Sequence, residues 1–278
     1  MLHLGDYINE HDRAIVRPVL PTGSPADLDG YRQRYASYKV DTDLQAAHAR
    51  YPFVCMWDDH EVTNNYAGDT DPNGHSPEFM QAQRAAAYRA WWEHIPARLP
   101  PPTGADVTLY RSLAVGGLAR VTVLDERQYA DVPPCRDSAV SDLGNCEART
   151  GADREYLGTA QQDWFSEVVA EKGVIWDLVG NPAVLSGVNA GTPDEPKYFL
   201  ETWDGYPAAR RRFIESLASA AGQAVILTGD YHAGMVADLH ADPGDQTTPV
   251  VTEASGFSTS STSRKLAVIC AGSTSRVR

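Results

Sequence analysis

Three short clusters in this sequence hold the side chains whose types and spacing could do chemistry. Leu4-Gly5-Asp6 lies at the start, Trp57-Asp58-Asp59-His60-Glu61 follows with Asn64-Asn65 just beyond it, and Thr228-Gly229-Asp230-Tyr231-His232 comes late in the chain. Each one follows an apolar run that reads as a strand. Carboxylates, amides and imidazoles delivered from separate strand ends are what a pair of hard cations needs, several oxygen ligands together with imidazole nitrogen. One Asp could bridge two ions while the other groups each serve one. Two such ions would clamp a phosphoryl oxygen and deprotonate a bridging water for in-line attack. In Asp230-x-His232 the two side chains share one face of an extended segment, a spacing suited to chelation.

Each cluster also has an ordinary reading. Gly-Asp after a strand is a common turn, and Asp230-x-His232 fits a surface turn equally well. Four consecutive ionisable residues at a strand end would repel or need costly burial unless something neutralises them, yet a solvated loop with a helix N-cap also accounts for Asp58 to Glu61. Three clusters of this kind in one chain make the joint ordinary reading the weaker one.

The bulk composition bears on what such a site would bind. The chain has 37 acidic against 24 basic residues, a formal charge of −13, which argues against binding a nucleic-acid scaffold because that requires a basic face. An acidic protein still binds a phosphate dianion when cations occupy its carboxylates and set the local sign of charge, so metals are close to a requirement. No apolar run approaches the ~18 residues that span a bilayer. The start, MLHLGDYINE, has neither the basic region nor the small-residue end of an export signal, so the chain is expected to be soluble with no signal peptide. Cys135 and Cys146 bracket a polar loop and are read either as a disulfide or as two free thiols; Cys55 reads as a small buried hydrophobe, and Cys270 gives no chemical signal.

The elements that must position the clusters can be read from periodicity and breakers. A strand ends at Leu4, a helical stretch runs from about Tyr31 to Arg50, and a strand Pro52 to Trp57 leads into the second cluster. A helix is expected over Pro77 to Ile95 on the outside of the sheet, then a hairpin of Val107–Val115 and Leu118–Leu124 turning at Gly116-Gly117. A helix Thr159–Glu171, a strand Val174–Val179, a helix Pro207–Ala220 and a strand Ala224–Thr228 lead into the third cluster, and the last strand is expected at Pro249–Thr252. The chain length fits one large α/β domain with its site at the C-terminal ends of strands, here residues 1–257, followed by an irregular Ser/Thr-rich tail over 258–278.

Taken in order, GDYINE, WDDHEVTNNYAGD, LDERQY, LGTAQQDWF, WDGYPAARRR and LTGDYHAG resemble the alkaline phosphatase D family of metallophosphatases, from about Gly5 to Phe257. The resemblance implies an α/β, metallophosphatase-like αββα sandwich and a phosphomonoesterase or phosphodiesterase acting on small phosphate esters with iron and calcium. It also implies a secreted or cell-envelope location. By position, Asp6 would be the bridging carboxylate, Asp59 and Asn65 ligands of the second metal, and Asp230 and His232 further ligands. His60 would stabilise developing charge or protonate the leaving oxygen. Arg127 would face substrate or be a buried structural arginine paired with Asp125 or Glu126. Asn181 and the stretch Trp203 to Arg212 would support the site.

Two departures stand out. The family pattern GDYIYE has a Tyr where this chain has Asn9, so Asn9 is expected to be a neutral and weaker ligand for a trivalent ion than a phenolate. The family also has an earlier strand with a metal ligand, an N-terminal β domain and an export signal, and it continues differently beyond TEASGFSTSS. The chain is therefore expected to be a truncated member whose sheet lacks an N-terminal strand and whose first metal lacks one ligand. The competing readings are a non-enzymatic, catalytically impaired fragment of that family and another dinuclear hydrolase such as an amidohydrolase, although the latter usually shows more His ligands than His60 and His232.

Overall fold

The computed structural model describes residues 1–12, 18–135, 143–240 and 249–255. Its main body is a six-stranded mixed sheet. The strands are β1 (Leu2–Leu4), β2 (Val54–Met56), β3 (Arg111–Val115), β4 (Ala119–Val123), β5 (Leu143–Gly144), β6 (Trp176–Asn181), β7 (Tyr198–Phe199), β8 (Gln223–Thr228), β9 (Met235–Leu239) and β10 (Val251–Ser255). The six-stranded sheet has the order β3-β4-β6-β8-β10-β9, while β1 and β2 form a separate parallel pair and β5 pairs with β7. Strands β4, β6, β8 and β10 run parallel, and β3 and β9 run antiparallel at the two edges. In this register Asn181 lies opposite Thr228 and Ser255 also lies opposite Thr228, so the C-terminal ends of the parallel strands finish level.

The β1–β2 pair lies against β6. A side-chain carbon at Gly180 would run into Met56 and touch Leu2 and Leu4, so the absence of one there lets the two layers approach. On this side the core is aromatic and includes Tyr31, Tyr35, Trp57, Tyr88 and Trp91, from α1 (Leu28–Lys39), α3 (Pro77–His94) and the strands. The opposite side is filled by Phe165 of α4 (Thr159–Ala170) and Phe213 of α5 (Pro207–Ala218), packed with Val179 and Ile226 of the sheet. The order of layers is helices, strand pair, sheet, helices, an α/β metallophosphatase-like arrangement as expected.

The helical stretch expected over Tyr31 to Arg50 is two helices. Helix α1 ends at Lys39, and Asp41 caps α2 (Thr42–Arg50) by accepting the N–H groups of Asp43 and Leu44. An N-cap residue cannot sit inside a continuous helix, because its backbone is extended. The hairpin turns where expected, with Gly116 at φ 55°. Strand β9 was not expected; it returns antiparallel along β10 after the third cluster. The last strand lies two to three residues later than Pro249–Thr252. The proposed tail 258–278, Phe257 and Cys270 lie outside the described residues. Cys135 and Cys146 are joined as a disulfide with Cα atoms 6.4 Å apart, and burial pushes the Cys55 thiol up to about 12, as suits a core residue.

Candidate metal centre

The parallel register of β1 and β2 delivers Gly5 and Trp57 side by side, Leu4 being opposite Met56. Gly5 has φ 108°, and a Cβ there would stand 2.7 Å from Asp58 Cβ and 2.8 Å from Asp58 N. Only glycine allows the two loops to pass so closely. Gly229, at the end of β8, is pressed against Leu4 in the same way, its missing Cβ 3.0 Å from the Leu4 carbonyl. All three clusters thus leave their strands at one point.

Positive φ angles mark the same place. Among the described residues, six non-glycines have them, and four of these are Asp6, Asn65, Asp230 and His232. Left-handed backbone at non-glycine residues is costly and concentrates where surrounding structure holds functional groups.

Oxygens of Asp6, Asp58, Asp59 and Asp230 all lie within 4.8 Å of one another, and Asp6, Asp59 and His60 form a second group with the same spacing. Burial pushes the Asp230 carboxyl up to about 8, aided by the charge of Asp58, and burial with the neighbouring Asp59 holds Asp6 well above the carboxylate range. Burial would raise Asp59 too, but His60, Arg127 and the N–H of Asn65 (2.6 Å) together hold it below its ordinary value. Against its own burial, the His60 imidazole is raised by Asp59 and by Glu10. Four carboxylates in so small a volume repel one another in the folded chain, and nothing short of protons or cations relieves them fully.

Three surrounding residues hold the cluster. Arg127, 2% exposed, forks onto Asp58 through Nε to Oδ1 at 2.7 Å and Nη2 to Oδ2 at 3.1 Å, and reaches Asp59 at 4.0 Å. It is a buried arginine whose partner is Asp58, not the neighbouring Asp125 or Glu126. Glu61, fully buried, accepts the N–H groups of Asp6, Tyr7 and Asp58, tying the two loops together; burial moves it up to about 7 against the pull of those donors. Glu10 lies against His60 Nδ1 at 2.5 Å. A layer behind them, Trp203 Nε1 donates to Glu126 and to Asn181, and Arg210 pairs with Asp204.

Of the residues singled out in the sequence, Asp6, Asp59, His60 and Asp230 come together directly. Asn65 arrives through its backbone N–H on Asp59. His232 is exposed and outside both groups, but near enough to His60 that burial and that neighbour lower its ring. The Asn9 side-chain oxygen accepts the N–H of His11 at 2.8 Å. Asp58, Glu10 and Glu61 were not singled out as site residues. For Asp58 the available signal was its place beside Asp59 in the charged run, and the structure puts both carboxylates in the cluster.

The donors suit hard cations. Among the described residues the cluster offers carboxylate oxygen and imidazole, whereas the Tyr7 hydroxyl is 2.7 Å from His48, the Tyr66 hydroxyl 2.9 Å from Tyr88, and the Cys55 thiol lies in the core. The family model for PhoD-like phosphatases matches residues 1–272. Alkaline phosphatase D of Bacillus subtilis (strain 168) is 38% identical over 253 residues, which cover 87% of this chain and 42% of that protein. A solved structure described as the structure of PhoD superposes with a TM-score of 0.85 at 36% identity, covering 92% of this chain and 50% of the other. The chain thus spans half or less of the length of these relatives. By the family-model match over residues 1–272 and the 38% identity to alkaline phosphatase D, the chain belongs to the PhoD-like phosphatase family.

Proposed function

We propose that this chain hydrolyses small phosphate esters, monoesters, diesters or both, with metal ions held by Asp6, Asp59, Asn65, Asp230 and His232, by Asp58 in addition, and with Asn9 as a neutral ligand. The observation that carries the reading is the convergence of four aspartates from three loops, in a chain of a phosphatase family. The oxygen donors suit calcium; iron would rest on carboxylate and imidazole donors among the described residues. When bound, the cations polarise a phosphoryl oxygen and acidify water.

The chain's own residues do the rest. Asp6 and Asp59 stand in both candidate ligand groups, and Asp6, on the loop after β1, would be the carboxylate shared between the ions. His60, beside them, holds the proton that a leaving ester oxygen takes. Arg127 acts through Asp58, because its fork is spent there. The catalytic unit is residues 1–257. A secreted or cell-envelope location agrees with the Cys135–Cys146 disulfide. A non-enzymatic relic is not favoured, since the acidic loops are assembled.

Purified chain supplied with Ca, Mn, Fe or Co should turn over an aryl phosphate or a bis-aryl phosphodiester. Asp59→Asn and His232→Ala should each lower kcat/KM by about 100-fold or more, the usual effect of removing a group that supports the transition state. Absence of turnover with every metal and both substrates would sink the reading.

A further inference from the structure

Glu10 lies on the loop leaving β1 and is 1% exposed. Both of its oxygens are engaged by the loop after β2: Oε2 lies 2.5 Å from His60 Nδ1, and Oε1 accepts the Asn64 N–H at 2.7 Å. His11 Nε2 stands 3.5 Å from the same Oε1. The backbone around Glu10 is fixed from the other side by Arg34 of α1. This fully buried guanidinium donates to the carbonyls of Asn9, His11, Leu20, Pro21 and Gly23. No carboxylate is among those five acceptors, so Arg34 works as a staple for the loop, and two of the five, Asn9 and His11, flank Glu10.

A ring nitrogen held against a buried carboxylate is a donor, which selects one tautomer, fixes the ring plane and leaves the other nitrogen for the site. The His60 backbone is fixed as well, its N–H lying 2.9 Å from Asp59 Oδ1 and 3.3 Å from Asp6 Oδ1. Glu10 thus has a geometric hold on the one imidazole that the described residues place inside the acidic cluster, and it has no other function in the site described above.

We propose that Glu10 is a positioning residue of the hydrolase site: it sets the tautomer and orientation of His60, and Arg34 clamps the loop that presents it. The proposal rests on the phosphoesterase reading. When the P–O bond to the leaving group breaks, the electron pair stays on the ester oxygen, which takes the Nε2 proton of the His60 imidazolium and leaves the ring as its neutral Nδ1–H tautomer. The ring keeps its Nδ1–H on Glu10, and the proton released by the attacking water restores Nε2–H.

A double-mutant cycle tests this with Glu10→Ala, His60→Ala and the double variant, each assayed on an aryl phosphate with the metal that best supports the wild type. Glu10→Ala is expected to lower kcat by about 10–100-fold, as loss of an orienting partner does, with KM changed less than about threefold. In the His60→Ala background it is expected to cost nothing more, because a residue that acts through His60 has nothing left to act through. Losses that multiply, or a Glu10→Ala variant at the wild-type rate, would overturn the proposal. Nitrogen-15 NMR of the His60 ring, taken at a pH where the ring is neutral, gives a second readout that needs no turnover: a single Nδ1–H form in the wild type that becomes a mixture in Glu10→Ala supports the proposal, and an unchanged tautomer refutes it. Absence of turnover in the wild type counts against the phosphoesterase reading, and the NMR result then decides the role of Glu10 by itself.

Discussion

Adjacent residues of the run Asp58 to Glu61 have different fates, and hydrogen-bond supply accounts for the difference. Asp58 takes the Arg127 fork, Asp59 faces the cluster, and Glu61 turns inward onto three backbone N–H groups. Glu61 is therefore the residue that holds the ends of β1 and β2 in register, although it lies outside both candidate ligand groups. Replacing it with Ala leaves the N–H groups of Asp6, Tyr7 and Asp58 buried without their acceptor, at about 1–3 kcal/mol for an unsatisfied group and on the order of 3 kcal/mol in total. Urea unfolding of Glu61→Ala should show that loss at an unchanged m-value. A change below about 0.5 kcal/mol would mean that the loops are held by something else.

Between elements, the contact of α1 with α3 includes a three-residue ion cluster. Arg32 of α1 forks onto Glu93 of α3 through Nε at 2.7 Å and Nη2 at 2.8 Å, and Arg89 adds a third bond one helical turn away. The Arg32 hydrogen bonds hold the Glu93 carboxyl down to about 2 against the opposing effect of burial, with further help from Arg89. A carboxyl depressed in the fold contributes stability that is present above its unfolded pKa, near 4.5, and is lost as pH falls toward about 2. Glu93 is partly exposed, so the contribution is about 1 kcal/mol, within the range of well-formed surface pairs. Thermal melts at pH 6 and pH 2.5 should bring wild type and Glu93→Gln together at the lower pH. A difference of the same size at both would show that the pair contributes through packing instead.

At the scale of the whole molecule, the net charge of −13 and the buried aspartates pull in one direction. The layers bring together Asp6, Asp58, Asp59 and Asp230, whose mutual repulsion is absent from an unfolded chain, so cations that bind the fold must stabilise it by mass action. At a concentration 100 times its Kd, one ion adds about 2.7 kcal/mol, or roughly 5–10 °C in Tm for a domain of this size. Calcium or manganese should raise the melting temperature over that range and EDTA should reverse it. A melting temperature indifferent to both would speak against the metal centre independently of any assay.

The sequence by itself determined the family, the α/β layering and the three clusters, because periodicity marks buried strands and Gly-Asp or charged runs mark their ends. It also supplied the hairpin at Gly116-Gly117 and most helix limits, while the break at Asp41 was legible only as an N-cap that a continuous helical pattern concealed. What it lacked was distance. That Asp58 joins Asp59 inside the cluster depends on a turn after Trp57, that Arg127 belongs to Asp58 depends on the segment after β4 meeting the segment after β2, and that Glu10 meets His60 depends on Arg34 pinning a loop some 25 residues away along the chain. Local pattern fixes which residues leave a strand end together; only the packing of β1 and β2 over Gly180, which brings separate strand ends within a hydrogen bond of one another, decides which residue each of them meets.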